Sequence, residues 1–501
     1  MDVRRVVIRG FSSGVVAGLV LVALMYLAKA LIGTTPLPQL LQQPILAVMP
    51  GFVFGFLIDT LKHAGKVVEE AGIIVGMIVG LGVLGGAWAW ARRVWARPPQ
   101  ALVFAAAGWT IVAFGLLPIS GDGFLGLKEG PTAPLVWGVL FAVYGAVLQV
   151  GGDPATRAPV VADPGRRRML RLMPIGIAAL SAGGLAYELL PRWYQAVFKV
   201  PEAGLSGASA EITPVENFYV VSKNFSDPVV LEQGWTLNVG GLVDNPLHLS
   251  LADLRALHSA TEYVTLECIS NNVGGPLMST GHFTGVRLHD IVTMAEPRSS
   301  ATYARFKARD GYTESLPLSL ISGAPEILVA YALDGAPLPT SHGYPARILV
   351  PGHYGMKGPK WLESIDLASR DDGGYWESEG WDRRALVKTT ARFDVPKDGD
   401  IAKAGKVSPL RGVAFAGTRG ISKVEYSTDG GRNWSAANLR APLSSLAWVL
   451  WEANWTPAQE GAHVLQVRAV DGTGASQERT LTSSYPSGAS GYHTIHVDVA
   501  G

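Results

Sequence analysis

Hydrophobic and polar positions are segregated along this chain. Between about residues 10 and 192 apolar runs dominate. Five of them, 10–32, 71–92, 101–119, 133–150 and 171–191, reach or approach the roughly 20 apolar residues that a helix needs to cross a bilayer. A sixth run, 45–61, is shorter, with Pro44 and Pro50 at its start, and reads equally as a span, a re-entrant segment or an interfacial helix. Beyond residue 212 the pattern changes to short alternating stretches. WTLNVGGLVDNPLHLSLADLRAL (235–257) predicts a strand, a turn at Asp244-Asn245-Pro246, and a short helix capped near Ser250. YVTLECISNNVGG (263–275) predicts a strand on which Val264, Leu266 and Cys268 share one face, ending in a loop rich in Asn and Gly. ILVAYAL and ARILVP are further strands. From 411 to 474, alternating runs with Asp-Gly-Gly turns predict a β-sandwich.

These patterns divide the chain into an all-α transmembrane domain (1–192), a Pro/Gly/Ser-bearing linker (193–212), an α+β domain (213–395) and a sandwich (396–501). Charge orients the first part. Arginine clusters at 4–9, 92–97 and 157–171 all fall on one side if there are five crossings, and five crossings put everything after residue 192 outside the cytoplasm. GRRRMLRLMPIGIAALSAGG (165–184) resembles a twin-arginine export signal, although a stop-transfer cluster has the same pattern. The membrane half holds a single histidine, His63, which excludes a bis-histidine haem. It reads as an anchor or docking platform, or as a site for a quinone or a partner protein.

One cysteine in 501 residues excludes an intramolecular disulfide, a Cys-ligated Fe–S cluster and a Cys-rich zinc site. A net charge of +1 gives no indication of a nucleic-acid partner. Cys268 reads either as a buried apolar filler or as a ligand; the strand end opening into a polar Gly/Asn loop suits a thiolate for a metal. A second candidate region is HGYPARILVPGHYGMKGPKW (342–361). His342, Arg347, Lys357 and Lys360 lie there among glycines, a composition suited to a phosphate-bearing ligand or to an ordinary solvated loop.

TLECISNNVGG, TGVRLHDIV, DGYTESLPL and LVAYALDGAPLP…HGYPARILVPGHYGMKGPKWLESI together resemble the molybdopterin-binding domain of the sulfite-oxidase family, over roughly 210–395. The sandwich, with VEYSTDGGRNW and WEANW, resembles the immunoglobulin-like dimerisation domain that follows it in that family. The resemblance implies a molybdenum–pyranopterin cofactor with Cys268 as its protein ligand. It implies that His342, Arg347, Lys357, Gly358 and Lys360 contact the pterin and its phosphate, and that Tyr219 and Val220 line the pterin. It also implies two-electron oxygen-atom transfer on a small substrate, a separate electron-transfer protein or quinone-linked membrane partner, and a possible homodimer. The rival reading is a non-enzymatic membrane protein whose soluble domain binds a ligand or partner. Arginines that hold sulfite elsewhere in the family are missing after Cys268 (Ile269, Ser270, Asn271, Asn272, Val273) and after Tyr219, so a dianion would lose its charge-assisted partners. A sulfoxide-type oxygen acceptor is an alternative substrate. Asn271, Asn272, His353 and Tyr354 are candidate pocket groups.

Overall fold

A computed structural model describes residues 3–152 apart from 33, 43, 46–64, 95–99, 121–122 and 130–131; residues 179, 181–187 and 189–190; and residues 208–501 apart from 225–226. The chain forms two compact units, with the division at about residue 200.

The first unit is helical. α1 (Val3–Ile32), α2 (Gly65–Val94) and the stretch Ala101–Ile119 are each long and apolar enough to cross a membrane, and α4 (Ala133–Gly152) is a further apolar helix. Helical hydrogen bonding does not stop where hydropathy does, so α1 takes in Arg4, Arg5 and Arg9 and α2 starts six residues before its apolar run. The third stretch starts as α3 (Ala101–Ile111) and passes through a π-helical turn, Val112–Leu116. Pro118 has no N–H for the carbonyl four residues earlier, a local cause for the widened turn. α1 and α2 meet through small residues. A Cβ added at Gly14 would collide with the backbone of α2 at Leu81, Gly82 and Gly85, the close approach that small residues allow between membrane helices. The segment 45–61, apart from its first residue, and most of 171–191 lie outside the described residues.

The second unit starts with two sheets. The first has the order β2-β1-β10-β5-β6, with β1 (Thr236–Gly241), β2 (Leu247–Ser250), β5 (Tyr303–Ala308), β6 (Thr313–Pro317) and β10 (Leu362–Ala368). The second runs β3-β4-β7-β8, with β3 (Ser259–Glu267), β4 (Met278–Arg287), β7 (Leu328–Leu333) and β8 (Ala336–Pro337); β9 (Arg347–Leu349) also pairs with β7. Leu237 and Val239 of β1, Phe306 of β5, Ile365 of β10, Val329 of β7 and Ile348 of β9 share one core, so the two sheets pack around it. Ser250 does cap the helix Leu251–Ala256: its hydroxyl accepts from Asp253 N and the Asp253 carboxylate accepts from Ser250 N.

Nine strands of the remaining chain form a four-stranded sheet, β11-β13-β17-β16, and a five-stranded one, β12-β19-β18-β14-β15. Their ranges are β11 Thr390–Val395, β12 Ile401–Lys403, β13 Ser408–Phe415, β14 Ile421–Ser427, β15 Ser435–Ala436, β16 Asn438–Leu439, β17 Val449–Trp455, β18 Gly461–Asp471 and β19 His493–Ala500. Phe393, Leu410 and Trp451 of one sheet bury against Val424, Leu465, Val467 and Ile495 of the other. The result is a two-sheet β-sandwich, as the alternation predicts.

Candidate functional site

Cys268 follows the last residue of β3. Val264 and Leu266, on the same parity, are buried in a core with Phe218, Tyr219 and Phe283, and Cys268 stands half-buried at the margin of that core. Its backbone is fixed: Cys268 N donates to Leu277 O at 3.0 Å and Cys268 O accepts from Asn271 N at 2.9 Å. Sγ lies 3.1 Å from Ser270 Oγ. Asn271 is a staple for the loop. Its amide donates to Glu267 Oε1 at 3.0 Å and its carbonyl accepts from Leu277 N at 3.0 Å. The thiol is therefore carried on a loop closed at both ends.

Three buried phenols surround it electrostatically. The hydroxyl groups of Tyr219, Tyr312 and Tyr354 are all held well above their ordinary pKa by burial first, and each also feels negative charge on Cys268. Tyr312 donates to Met356 O at 2.6 Å, and the Tyr354 hydroxyl accepts from Lys388 N at 3.3 Å. Tyr219 packs against Gly355, where a Cβ would stand 2.8 Å from the phenol oxygen. Val220, next to it, is exposed. Burial also raises Glu267 to about 7, beside the thiol.

The cationic region gathers as the sequence suggests, with one exception. Arg347, on β9, is buried, and burial lowers its pKa. Among the described residues its two Nη atoms donate only to the carbonyls of His342 (3.3 Å) and Gly358 (3.4 Å), and its Nε has no partner. Gly358 has no room for a side chain, since a Cβ would approach Ile348 O to 2.6 Å. His342 is buried edge-on to Phe218 (5.2 Å). Burial, and then the positive charges of Arg347 and Lys360, push its pKa down to about 4, so the ring is neutral at physiological pH. Lys360 donates to Ser222 Oγ (2.8 Å) and Ser341 O (2.9 Å) and lies 4.4 Å over the Trp361 ring. Lys357 is the exception: its ammonium is taken up by Glu314 (2.8 Å) and Glu377, both inaccessible to water.

A buried guanidinium that meets only weak carbonyl acceptors is costly unless an anion completes it. Arg347, next to Lys360 and an imidazole, thus fits a ligand carrying a phosphate. The half-buried thiol on its closed loop fits a metal held by other sulfurs. Sequence reasoning did not assign Tyr312, although DGYTESLPL contains it, nor Phe218, which shapes the wall behind His342. It also did not anticipate Glu314 and Glu377.

Residues 224–376 match the oxidoreductase molybdopterin binding domain, and residues 389–499 match the Mo-co oxidoreductase dimerisation domain. This chain belongs to the sulfite-oxidase-like molybdopterin oxidoreductases. It is 28% identical over 317 residues to mouse mitochondrial sulfite oxidase, covering 52% of this chain and 57% of that protein. It is 27% identical over 336 residues to sulfite oxidase of Arabidopsis thaliana, covering 55% and 84%. The sulfane dehydrogenase SoxCD from Paracoccus pantotrophus superposes with a TM-score of 0.51 at 18% identity, over 59% of this chain and 85% of that one, which shows a shared fold. The chain spans little more than half the length of the mouse enzyme. The cofactor of this domain is molybdopterin. The helical unit, 1–199 in the main, precedes both matched domains.

Proposed function

We propose that this protein is a membrane-anchored molybdenum oxidoreductase. Its catalytic domain lies outside the cytoplasm and transfers an oxygen atom to or from a small, neutral substrate of the sulfoxide type. The observation that carries the reading is the pairing of a half-buried thiol on a closed loop with a buried arginine that has no counter-ion among the described residues. Cys268 would be the protein's ligand to molybdenum. Arg347, His342, Lys360 and the Gly358 backbone would hold the pterin and its phosphate, with Tyr219 and Val220 along the pterin. Lys357 would act from behind, as the charge that keeps Glu314 and Glu377 in place.

When bound, the cofactor supplies two-electron oxygen-atom transfer. The chain's own residues supply a mount and an environment. Asn271 and the Cys268 backbone bonds fix the thiol, and the neutral phenols of Tyr219, Tyr312 and Tyr354 add no charge beside it. Ile269 and Asn271, which follow the cysteine, are buried, and Ser270 bonds the thiol, so no side chain in that turn offers a cation to a dianion. Reduction of an oxide consumes two electrons and two protons and releases one water. The single cysteine leaves no Cys-ligated Fe–S cluster, and the single histidine of residues 1–192 leaves no bis-histidine haem in that half, to relay those electrons. A separate cytochrome or a quinone-linked membrane protein would exchange them, and the sandwich would serve a homodimer contact. Five crossings would place the soluble half on the far side from the arginine clusters.

Metal and pterin analysis of the purified full chain tests this reading, followed by a screen of sulfoxides, N-oxides and sulfite with a dye as electron donor or acceptor. About one molybdenum and one pterin per chain are expected, with Cys268→Ser losing the thiolate–metal charge-transfer band and turnover. A chain without molybdenum from a cofactor-competent host would overturn it; efficient turnover of sulfite would overturn the substrate class.

A further inference from the structure

The Cys268 loop is held from outside its own domain. β3, which delivers the cysteine, is bonded along its edge by residues 444–448 of the sandwich: Thr265 N donates to Leu446 O (3.0 Å), Trp448 N to Thr265 Oγ1 (2.8 Å) and Ser444 Oγ to Tyr263 O (2.6 Å). At the other end of the loop, Arg392 of β11 donates through Nη1 to Gly275 O at 2.7 Å. The same guanidinium pairs with Asp394 (2.9 Å) and reaches Ser209 Oγ (3.2 Å). Asp394 in turn accepts from Ser209 N at 3.0 Å. Ser209 belongs to the segment that leads into the soluble half, and its neighbour Glu211 is fastened there too, by Trp448 Nε1 (3.1 Å) and Arg440 (3.0 Å). The His493 ring of β19 fills the space beside Gly274, where a Cβ would collide with it; its Nδ1 accepts from Phe393 N at 2.9 Å. Gly274 is in the left-handed region at φ +73°, so it can accept neither a side chain nor much displacement.

We infer that Arg392, with Asp394, is a positioning pair for Cys268: it joins the lead-in segment, the sandwich and the far end of the cysteine loop at one buried guanidinium. This rests on Cys268 being the functional thiol. It assigns the sandwich a role inside each chain that is separate from any contact between two chains. Arg392 and Asp394 are buried, whereas Gly275 is half-buried. Arg392 bonds all three segments at once, through a planar fan of donors aimed at Gly275, Ser209 and Asp394 that an ammonium cannot reproduce.

The test uses the full chain, purified in detergent from a host that cannot make the cofactor, and follows the rate at which a chromogenic disulfide reagent modifies Cys268. Removing both charges together, Arg392→Met with Asp394→Leu, avoids leaving one buried ion unpaired and preserves the fold best. The expected result is an unchanged unfolding midpoint with a rate about tenfold or more above wild type. Arg392→Lys, which keeps the pair with Asp394, should fall between, and it serves alone if the double variant does not fold. A rate within about twofold of wild type in a folded variant would overturn the inference. In cofactor-loaded protein the same variants should shift the thiolate-to-metal charge-transfer band at undiminished metal content. Metal bound without Cys268 would sink the proposed function but leave the reagent comparison intact. An unchanged rate and an unmoved band with metal bound would sink only the role of Arg392.

Discussion

Lys357 donates to Glu314 at 2.8 Å while Glu377 takes the same ammonium, and none of the three side chains is more than 5% exposed. Two buried carboxylates thus compete for one cation. Burial, helped by the repulsion of Glu377, lifts Glu314 to about 8 against the attraction and hydrogen bond of Lys357, which pull it down. An acid whose folded pKa lies above its unfolded value of 4.5 holds more protons in the native state between those two values. Stability from this group is therefore complete below about 4.5 and declines as pH rises to about 8, by at most ~1.4 kcal/mol per pH unit. Glu314→Gln should flatten that part of the profile. Denaturant titrations of the full chain at several pH values across the window would show it; an identical slope in the variant would contradict the assignment.

Replacing Lys357 by Met leaves Glu314 without a cation and Glu377 with only the exposed Arg383 at 3.7 Å. Loss of one partner from a buried ionic cluster costs ~3–5 kcal/mol. Lys357→Met should accordingly lower the unfolding midpoint sharply, and Lys357→Met with Glu377→Gln should recover much of the loss. If Lys357 mainly held the cofactor's phosphate, the single variant would keep its stability and lose only bound pterin.

Arg347 gives the opposite pattern. Its guanidinium donates to two carbonyls at 3.3 and 3.4 Å and leaves Nε unpaired, so in the cofactor-free protein it is a buried charge with little compensation. Arg347→Met should leave the cofactor-free chain as stable as wild type or more so, while pterin retained through purification falls by about tenfold or more, equivalent to ~1.4 kcal/mol or more of lost binding. Arg347→Lys should retain an intermediate amount, since it restores charge without the fork. Equal pterin content in wild type and Arg347→Met would show that the anion is held elsewhere.

How far the sequence reached depended on the range of the interaction. The Ser250 cap and the placement of Cys268 at a strand end are set by residues a few positions away, and both are found where the pattern puts them. The gathering of His342, Arg347 and Lys360 is also local, because His342 ends a short turn, Arg347 opens β9 and Lys360 lies in the loop just before β10. The fate of Lys357 is not local. Glu314 is 43 positions away on β6 and Glu377 is 20 positions away, and parity along β6 says which face Glu314 takes but not what that face meets. The Arg392 bond to Gly275 spans 117 positions, and β11, which carries Arg392, pairs within the sandwich although the sequence pattern assigns its residues to the preceding domain. In the membrane half, hydropathy located the apolar centres of the helices but not their ends.

The contact between α1 and α2 provides a test of the helical unit by itself. Gly14 and Gly85 leave no room for a Cβ at the crossing, whereas Gly76, on the same helix as Gly85, has nothing within 4 Å. Gly14→Leu should force the helices apart and reduce the yield of detergent-stable protein several-fold, while Gly76→Ala should be neutral or slightly stabilising, because alanine gains ~1 kcal/mol of helix propensity over glycine. Melting of the two variants in detergent by size-exclusion recovery distinguishes them; comparable recovery would mean that the crossing tolerates a larger spacing.

The distribution of arginines yields the last prediction. Arg4, Arg5 and Arg9 sit in the first turns of α1, and Arg92 and Arg93 close α2, so an antiparallel α1–α2 pair brings both clusters to the same end of the pair, one membrane face in the proposed topology. The remaining cluster, 157–171, keeps to that face only if the two following helices, Ala101–Ile119 and α4, cross once each and nothing between 33 and 64 crosses. Reporters fused after residues 97 and 160 should then be active in the cytoplasm, and one fused after residue 210 should be active only outside it. Moving the charge bias is the stricter experiment. Replacing Arg4, Arg5 and Arg9 with glutamine weakens the rule at the first helix, which usually dominates orientation, and should produce a mixed population at the fusion after 97. Cytoplasmic activity of the fusion after 210 in the unaltered chain would mean an even number of crossings, and with it a cytoplasmic redox partner for the molybdenum domain.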